Sequence, residues 1–274
     1  MRSLLVAAAA TALSGCSAVQ FAYNNAGAWV QWKADSFLDL REAQKAELGQ
    51  RVAGFFRWNR GQALPEYARL ADEAAARLER GATREDMVWG YDAVRGQASI
   101  ALGEAGAALG DFLDRLEPAQ VEHFERALED DNRRYARRYL EGPPAERRTR
   151  RLQRLRHDLE DWLGGLNEAQ LERVRRFNDS APLTAMLRGR ERRRMQQELL
   201  ALMRARRSGG VLADWWAHWD RGREPEFALA NREYVDGLLT LLADLERTLS
   251  AQQRAHAVSR LREYARDFRV LAAQ

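Results

Sequence analysis

Leu166-Asn167-Glu168-Ala169-Gln170 is the stretch that decides the fold, because its Leu-x-x-x-Gln spacing recurs at Leu40-Arg41-Glu42-Ala43-Gln44, Leu116-Glu117-Pro118-Ala119-Gln120 and Leu249-Ser250-Ala251-Gln252-Gln253. Each copy is written as a helix start. The residue after the Leu stands at the N-cap and the Gln falls at N3, from where its side chain can reach back to the N-cap amide. Asn167 and Ser250 are good caps, whereas Arg41 is a poor one. Val121 and Leu171 give the leading Leu of the second and third copies an apolar partner, a hydrophobic staple. Two copies match further: Leu116, Gln120, His123 and Leu128 have the spacing of Leu249, Gln253, His256 and Leu261, which points to a duplicated helical unit.

The rest of the chain agrees with a helical reading. Of its 274 residues 46% are hydrophobic, much of that alanine, 31% are charged, and the mean hydropathy is −0.57, a mixture suited to amphipathic helices. Leu64-Pro65-Glu66-Tyr67 opens a helix closed by Gly81, and Thr83-Arg84-Glu85-Asp86 caps a long one running towards Asp114. Gly96, Gly103, Gly106 and Gly110 lower helix propensity inside it, so their expected use is close approach of a neighbouring helix. No segment alternates with period two, and no strand is expected. The expected fold is all-α, an elongated multi-helix bundle of about eight to ten helices over residues 39–274. Gly142-Pro143-Pro144 is the strongest break, a candidate division into two similar halves at residues 142–144.

The N-terminus supplies an address. Arg2 and the apolar run Leu4 to Leu13 have the proportions of a secretory signal, and Leu13-Ser14-Gly15-Cys16 resembles the bacterial lipobox. That resemblance implies removal of residues 1–15 as a lipoprotein signal peptide and acylation of Cys16, with residues 16–38 as an aromatic tether. The alternative is an ordinary signal peptide with a chance cysteine. Several acyl chains hold a protein to a membrane far better than one. Ser17, rather than Asp, after the Cys implies the periplasmic face of the Gram-negative outer membrane. With its only cysteine acylated, the chain has no thiol for a disulfide, a thiolate metal site or a nucleophile.

Tyr23-Asn24-Asn25, Trp29-Val30, Trp32, Asp35 to Leu40, Gln44, Phe56-Arg57-Trp58-Asn59-Arg60 and Ala63 to Ala68 together resemble a proteobacterial lipoprotein family of unknown function. The family's usual Trp-His-Arg is Trp58-Asn59-Arg60 here. The Leu-x-x-x-Gln copies also resemble the Leu-Thr-x-x-Gln repeats of Spy and CpxP type periplasmic helical proteins, although no copy has Thr at the second position and those proteins are much shorter. Helix-start grammar and a chaperone-like repeat both remain open as meanings of the motif.

Charge is uneven. Residues 133–207 carry 21 Arg against 10 Asp and Glu, a balance of +11 that leaves the remainder of the chain at −7. Behind a lipobox the available polyanions are lipid headgroups, lipopolysaccharide phosphates and acidic protein segments rather than nucleic acid, and guanidinium forks suit all three. Arg147, Arg148, Arg150, Arg151, Arg192, Arg193 and Arg194 are the candidate polyanion-binding residues; the alternative is a solvated helix face. Trp215, Trp216 and Trp219 are the candidate protein-binding anchors, with burial in the core as the alternative. Trp29, Val30, Trp32, Phe37 and Leu38 either rest at the membrane interface or pack the first helix onto the body. His157, Asp158 and Asp161 could offer ligands from one turn, but Glu160 and nearby arginines favour a solvated charge cluster. Nucleophile elbow, zinc-protease and phosphate-loop motifs are absent, so no catalytic residue, no metal and no cofactor is expected. The chain reads as a non-catalytic envelope lipoprotein. It is expected to act as a scaffold or chaperone-like factor, held by its N-terminal lipid and partnered by an envelope protein or unfolded outer-membrane proteins. Binding of lipopolysaccharide or anionic phospholipid through the Arg-rich surface is the alternative.

Overall fold

The computed structural model describes residues 18–274; residues 1–15, read from the sequence as a signal peptide, and Cys16, read as the lipidation site, lie outside them. Eleven helices follow one another among the described residues: α1 Ala18–Leu38, α2 Glu42–Trp58, α3 Leu64–Glu79, α4 Arg84–Asp114, α5 Pro118–Tyr139, α6 Pro144–Leu163, α7 Glu168–Ser180, α8 Ala185–Arg204, α9 Ser208–Ala217, α10 Pro225–Glu246 and α11 Ala251–Ala272. One π-helical turn, Asn59–Ala63, joins α2 to α3, and no strand is present among the described residues. The bundle is elongated; α4 alone, at 31 residues, spans about 46 Å. No helix among the described residues is long and apolar enough to cross a membrane.

The four Leu-x-x-x-Gln copies open α2, α5, α7 and α11; in α7 and α11 the Asn167 and Ser250 side chains also accept the Gln amide to complete a capping box, whereas Arg41 and Glu117 make no side-chain cap bond. In every copy the Gln Oε1 accepts the N-cap amide, at 2.9 Å in the first and 3.0 Å in the others. Thr83 and Asp86 cap α4 in the same reciprocal way, and Gly81, at φ +90°, ends the chain's exit from α3. Residues 18–38, read from the sequence as a tether, form α1, which packs against α2, α5 and α11. Its inner face carries Val30, Phe37 and Leu38 into the core, while Phe21, Trp29 and Trp32 stay 69%, 60% and 64% exposed.

Two halves, α1 to α5 and α6 to α11, repeat one plan. The contacts α1·α2, α1·α5, α2·α4 and α3·α4 are matched by α6·α7, α6·α11, α7·α10 and α8·α10, and α4 meets α10 between the halves. The halves are also interlocked, since α3 packs on α11 and α8 packs on α5. Gly142, at φ +81°, lies on the boundary between them. The glutamines are the joints of this plan. Gln44 and Gln120 exchange amide hydrogen bonds of 3.0 and 2.8 Å, and Gln170 and Gln253 exchange bonds of 3.1 and 3.0 Å. Gln120 Nε2 also donates to the Asp39 carbonyl at 2.9 Å, as Gln253 Nε2 does to that of Gly165 at 2.6 Å, one residue before each leading Leu.

Helix α9 has no counterpart in the first half. It lies against α4 along a seam of small residues: a Cβ on Gly106 would stand 2.6 Å from the Leu212 carbonyl oxygen, and one on Gly110 would stand 2.8 Å from Gly209 Cα. Gly103 meets Ala217 in the same seam, whereas Gly96 has open space beside it. Backbones approach this closely only where side chains are missing. Leu48, Val52, Phe112, Leu113, Val121, Leu200, Met203 and Leu212 form one core, and Leu159, Val174, Phe177, Leu241 and Leu245 form a second. Between α3 and α11 the buried residues are mostly alanines, Ala68 and Ala75 against Ala257 and Ala265.

Candidate functional site

Helix α4 buries no residue before Gly106, so its first five turns stand over a space that α3, α6, α10 and α11 leave unfilled. This space is an apolar groove of two adjoining lobes, about 570 and 470 Å³, which share Ala74, Trp89, Gly90, Val94, Trp162 and Leu261. Leu155, Leu159, Leu238 and Leu242 line the first lobe; Tyr67, Leu70, Tyr264 and Phe268 line the second. Trp162 stacks on Tyr264 and Tyr264 on Phe268, which meets Tyr67 edge to face, at centroid distances of 5.7, 6.2 and 5.7 Å. Among the charged groups at the rim, Arg77 pairs with Glu73 and Asp86 at 2.5 Å and lies over the Trp89 ring at 4.0 Å, and Glu246 pairs with Arg254, whereas Asp158 has no ion-pair partner among the described residues. Val94, 72% exposed, stands at the mouth.

A second cavity, about 560 Å³, opens between the end of α5 and the beginnings of α6 and α8. Arg147, Arg151 and Arg154 reach it from successive turns of α6, Arg188 and Arg192 from α8, and Tyr135, Tyr139 and Tyr234 complete the wall. Asp158 is the one carboxylate in this lining. Arg151 is half-buried and spends its donors on the turn between α7 and α8, on Asn178 Oδ1 at 3.0 Å and on the Pro182 carbonyl at 2.8 Å; burial lowers its pKa. Arg192 pairs with Asp131 and Asn132. Burial pushes the Tyr135 phenol up, opposed by Arg188 and Arg192, and its hydroxyl donates to the Ala185 carbonyl at 2.7 Å. Leu155 and Asp158 line both cavities, so the groove and the cleft share a wall on α6.

The arginines singled out from the sequence are dispersed. Arg147, Arg151 and Arg192 line the cleft, whereas Arg148 binds the carbonyls of Asn178 and Ala181 at 3.1 Å and Arg150 faces Glu146 at 3.7 Å. Arg193 lies in a shallow polar depression with Glu125 and Glu129, and Arg194 is held by Glu191 and Glu198. Three consecutive helical residues point three ways, because each step turns the helix by about 100°. Arg188 was not singled out from the sequence; its i,i+4 relation to Arg192 is the signal that pairs them. Trp215 and Trp216 pack on the first core, and the Trp215 indole donates to Glu198 at 3.2 Å. Helix α9 ends at Ala217, so Trp219 leaves that row and lies under the Arg223 guanidinium at 4.4 Å. His157, Asp158 and Asp161 do not converge: no group of three metal-capable side chains exists among the described residues.

The residues at the N-terminal end of the chain that carry the family resemblance do come together. The Tyr23 hydroxyl donates to Asn59 Oδ1 at 2.7 Å, Arg60 donates to Asn24 at 3.2 Å, and the Arg60 guanidinium lies over the Tyr23 ring at 5.3 Å. The π turn supplies Asn59 and Arg60, so the cluster ties α1 to the junction of α2 and α3. No curated protein and no solved structure matches the chain. Residues 36–213 match DUF6279, which takes in both glutamine-paired starts of the first half, the cleft arginines and all of α8; the chain therefore belongs to this family of unknown function.

Proposed function

We propose that the protein is a non-catalytic envelope lipoprotein that holds an acyl chain of an envelope amphiphile in the groove beneath α4. The observation that carries this reading is the groove itself. Trp89, Val94, Trp162, Leu238, Leu242 and Leu261 line a cavity of the size that takes small molecules, and of its rim charges Arg77, Asp86 and Glu246 are already paired. An acyl chain brings no hydrogen-bonding groups into such a space, whereas an extended peptide brings amides that would go unpartnered. The membrane address comes from Cys16 as the acylation site, and the outward face of α1 suits it: Phe21, Asn25, Ala28, Trp29, Trp32 and Ser36 form an exposed strip without charge. Tryptophan-bearing faces of this kind rest at the headgroup level of a bilayer.

Titration of the purified protein with a bromine-labelled fatty alcohol tests the groove. Tryptophan fluorescence is expected to be quenched, and Val94→Glu or Leu242→Glu should abolish most of the quenching. No quenching in the parent protein would end the reading. The scaffold or chaperone function is the second reading, favoured by the exposure of Val94 and Trp162 at the mouth, where an apolar helix face could lie. Photo-crosslinking from position 94 in intact cells separates them, since recurrent capture of one envelope protein would support a scaffold.

A further inference from the structure

We infer that the cleft between α5, α6 and α8 is the headgroup subsite of the same ligand, so that the amphiphile bears a phosphate held by Arg147, Arg154 and Arg188. The inference rests on the groove reading and adds the chemical class of the ligand.

Three independent observations carry it. The cleft adjoins the groove, the two sharing Leu155 and Asp158 of α6 as a common wall, so the headgroup and the chain of one molecule would lie on either side of these two side chains. Arg147, Arg154 and Arg188 have no carboxylate partner among the described residues, although most arginines of this chain are ion-paired, and the Arg147 Nε is buried without any hydrogen-bond partner. Helix α8 begins at this cleft without a side-chain cap, and Leu183, Thr184 and Ala185 line the opening. Other helices, α3, α6, α9 and α10 among them, also start without a side-chain cap, so what marks this start is the guanidinium groups gathered beside it. Uncapped amides and the positive end of a 20-residue helix add to the guanidinium groups as an anion site. The tyrosine rings hold the side chains in place: Arg154 lies over Tyr139 at 5.5 Å and Arg151 over Tyr234 at 5.9 Å. Arg151 is a structural member, bound to the turn between α7 and α8, and is left intact in the test.

Dodecyl phosphate and dodecanol share a chain and differ by the phosphate, and binding of each is read by tryptophan fluorescence. The parent protein is expected to prefer dodecyl phosphate by about tenfold or more, with a preference that falls as salt rises. Arg147→Gln/Arg188→Gln should lose that preference while binding dodecanol as before. Equal binding by the parent, or a preference that survives in the double variant, would overturn the inference. If neither amphiphile binds, the groove reading fails. Thermal protection of the parent but not of the double variant by tripolyphosphate would then support the anion site alone, and lack of protection would overturn that too. Displacement of dodecyl phosphate by phosphatidylglycerol vesicles or by lipopolysaccharide identifies the natural source of the phosphate, and displacement by neither overturns an envelope amphiphile as the ligand.

Discussion

At the junction of α2 and α5, Gln44 and Gln120 bind each other, their own N-cap amides and the loop that precedes the first motif; at the junction of α7 and α11, Gln170 and Gln253 do the same. Away from these joints the halves diverge. Where α3 meets α11 in the first interlock, the neighbouring cavity is apolar and aromatic. Where α8 meets α5 in the second, the neighbouring cavity is lined by arginine and tyrosine. The joints hold backbone groups whose requirements are the same in both halves, whereas cavity walls are free to change chemistry once the backbone is fixed. One plan used twice has yielded two unlike surfaces side by side.

The largest expected effect probes the element present in one half only. Gly106→Leu would drive a side chain into the α9 backbone and should cost about 3 kcal/mol or more, or release α9 altogether, whereas Gly96→Ala should be neutral or slightly stabilising. Thermal unfolding reads both, and similar midpoints would break the assignment of the seam.

The two joints are expected to differ in weight. Gln170 is fully buried and also donates to the Thr248 carbonyl at 3.1 Å, whereas Gln44 is only partly buried, so Gln170→Leu should cost about 2–3 kcal/mol and Gln44→Leu about 1 kcal/mol by denaturant unfolding, because the buried side chain gives up more hydrogen bonds out of reach of water. Equal losses would mean that burial does not set the strength of a joint.

Acid separates α8 from α3. Burial pushes the Glu191 carboxyl up, but the Arg194 guanidinium and the Glu224 amide outweigh it and hold it below the ordinary range. A carboxylate so depressed contributes stability that is complete above the unfolded value near 4.5 and is lost as pH falls through the folded one. Stability should be flat from neutral pH down to about 5 and then decline. Glu191→Gln should flatten that decline more than Glu73→Gln, whose carboxylate is paired with Arg77 and Arg69 on the surface of α3. The smallest effect is expected on α1: Trp29→Ser and Trp32→Ser should change stability by less than about 0.5 kcal/mol while weakening adsorption to vesicles, measured by co-sedimentation.

Much of the fold was legible in the sequence. The four motifs do start helices, Thr83 and Asp86 do cap α4, and Gly103, Gly106 and Gly110 do mark the approach of another helix. The site was legible only in fragments. The Arg147 to Arg156 run announced the cleft, but the triplet Arg192 to Arg194 reads as one basic patch and divides into a cleft residue, a surface residue and an ion-paired residue. The tryptophans from Trp215 to Trp219 drew notice as anchors and turned out to lie partly in the core, while Trp89 and Trp162, isolated in the sequence, line one groove.

By itself the sequence determined where helices begin and end, because caps, prolines and glycines act within a few residues and need no distant partner. Tertiary structure alone decided that the glutamines pair two by two, that each half lends a helix to the other, and that an apolar groove lies beside a cleft of arginines. Those outcomes depend on which helix faces meet, and the amphipathic pattern of a single helix says that a face is buried without saying against what.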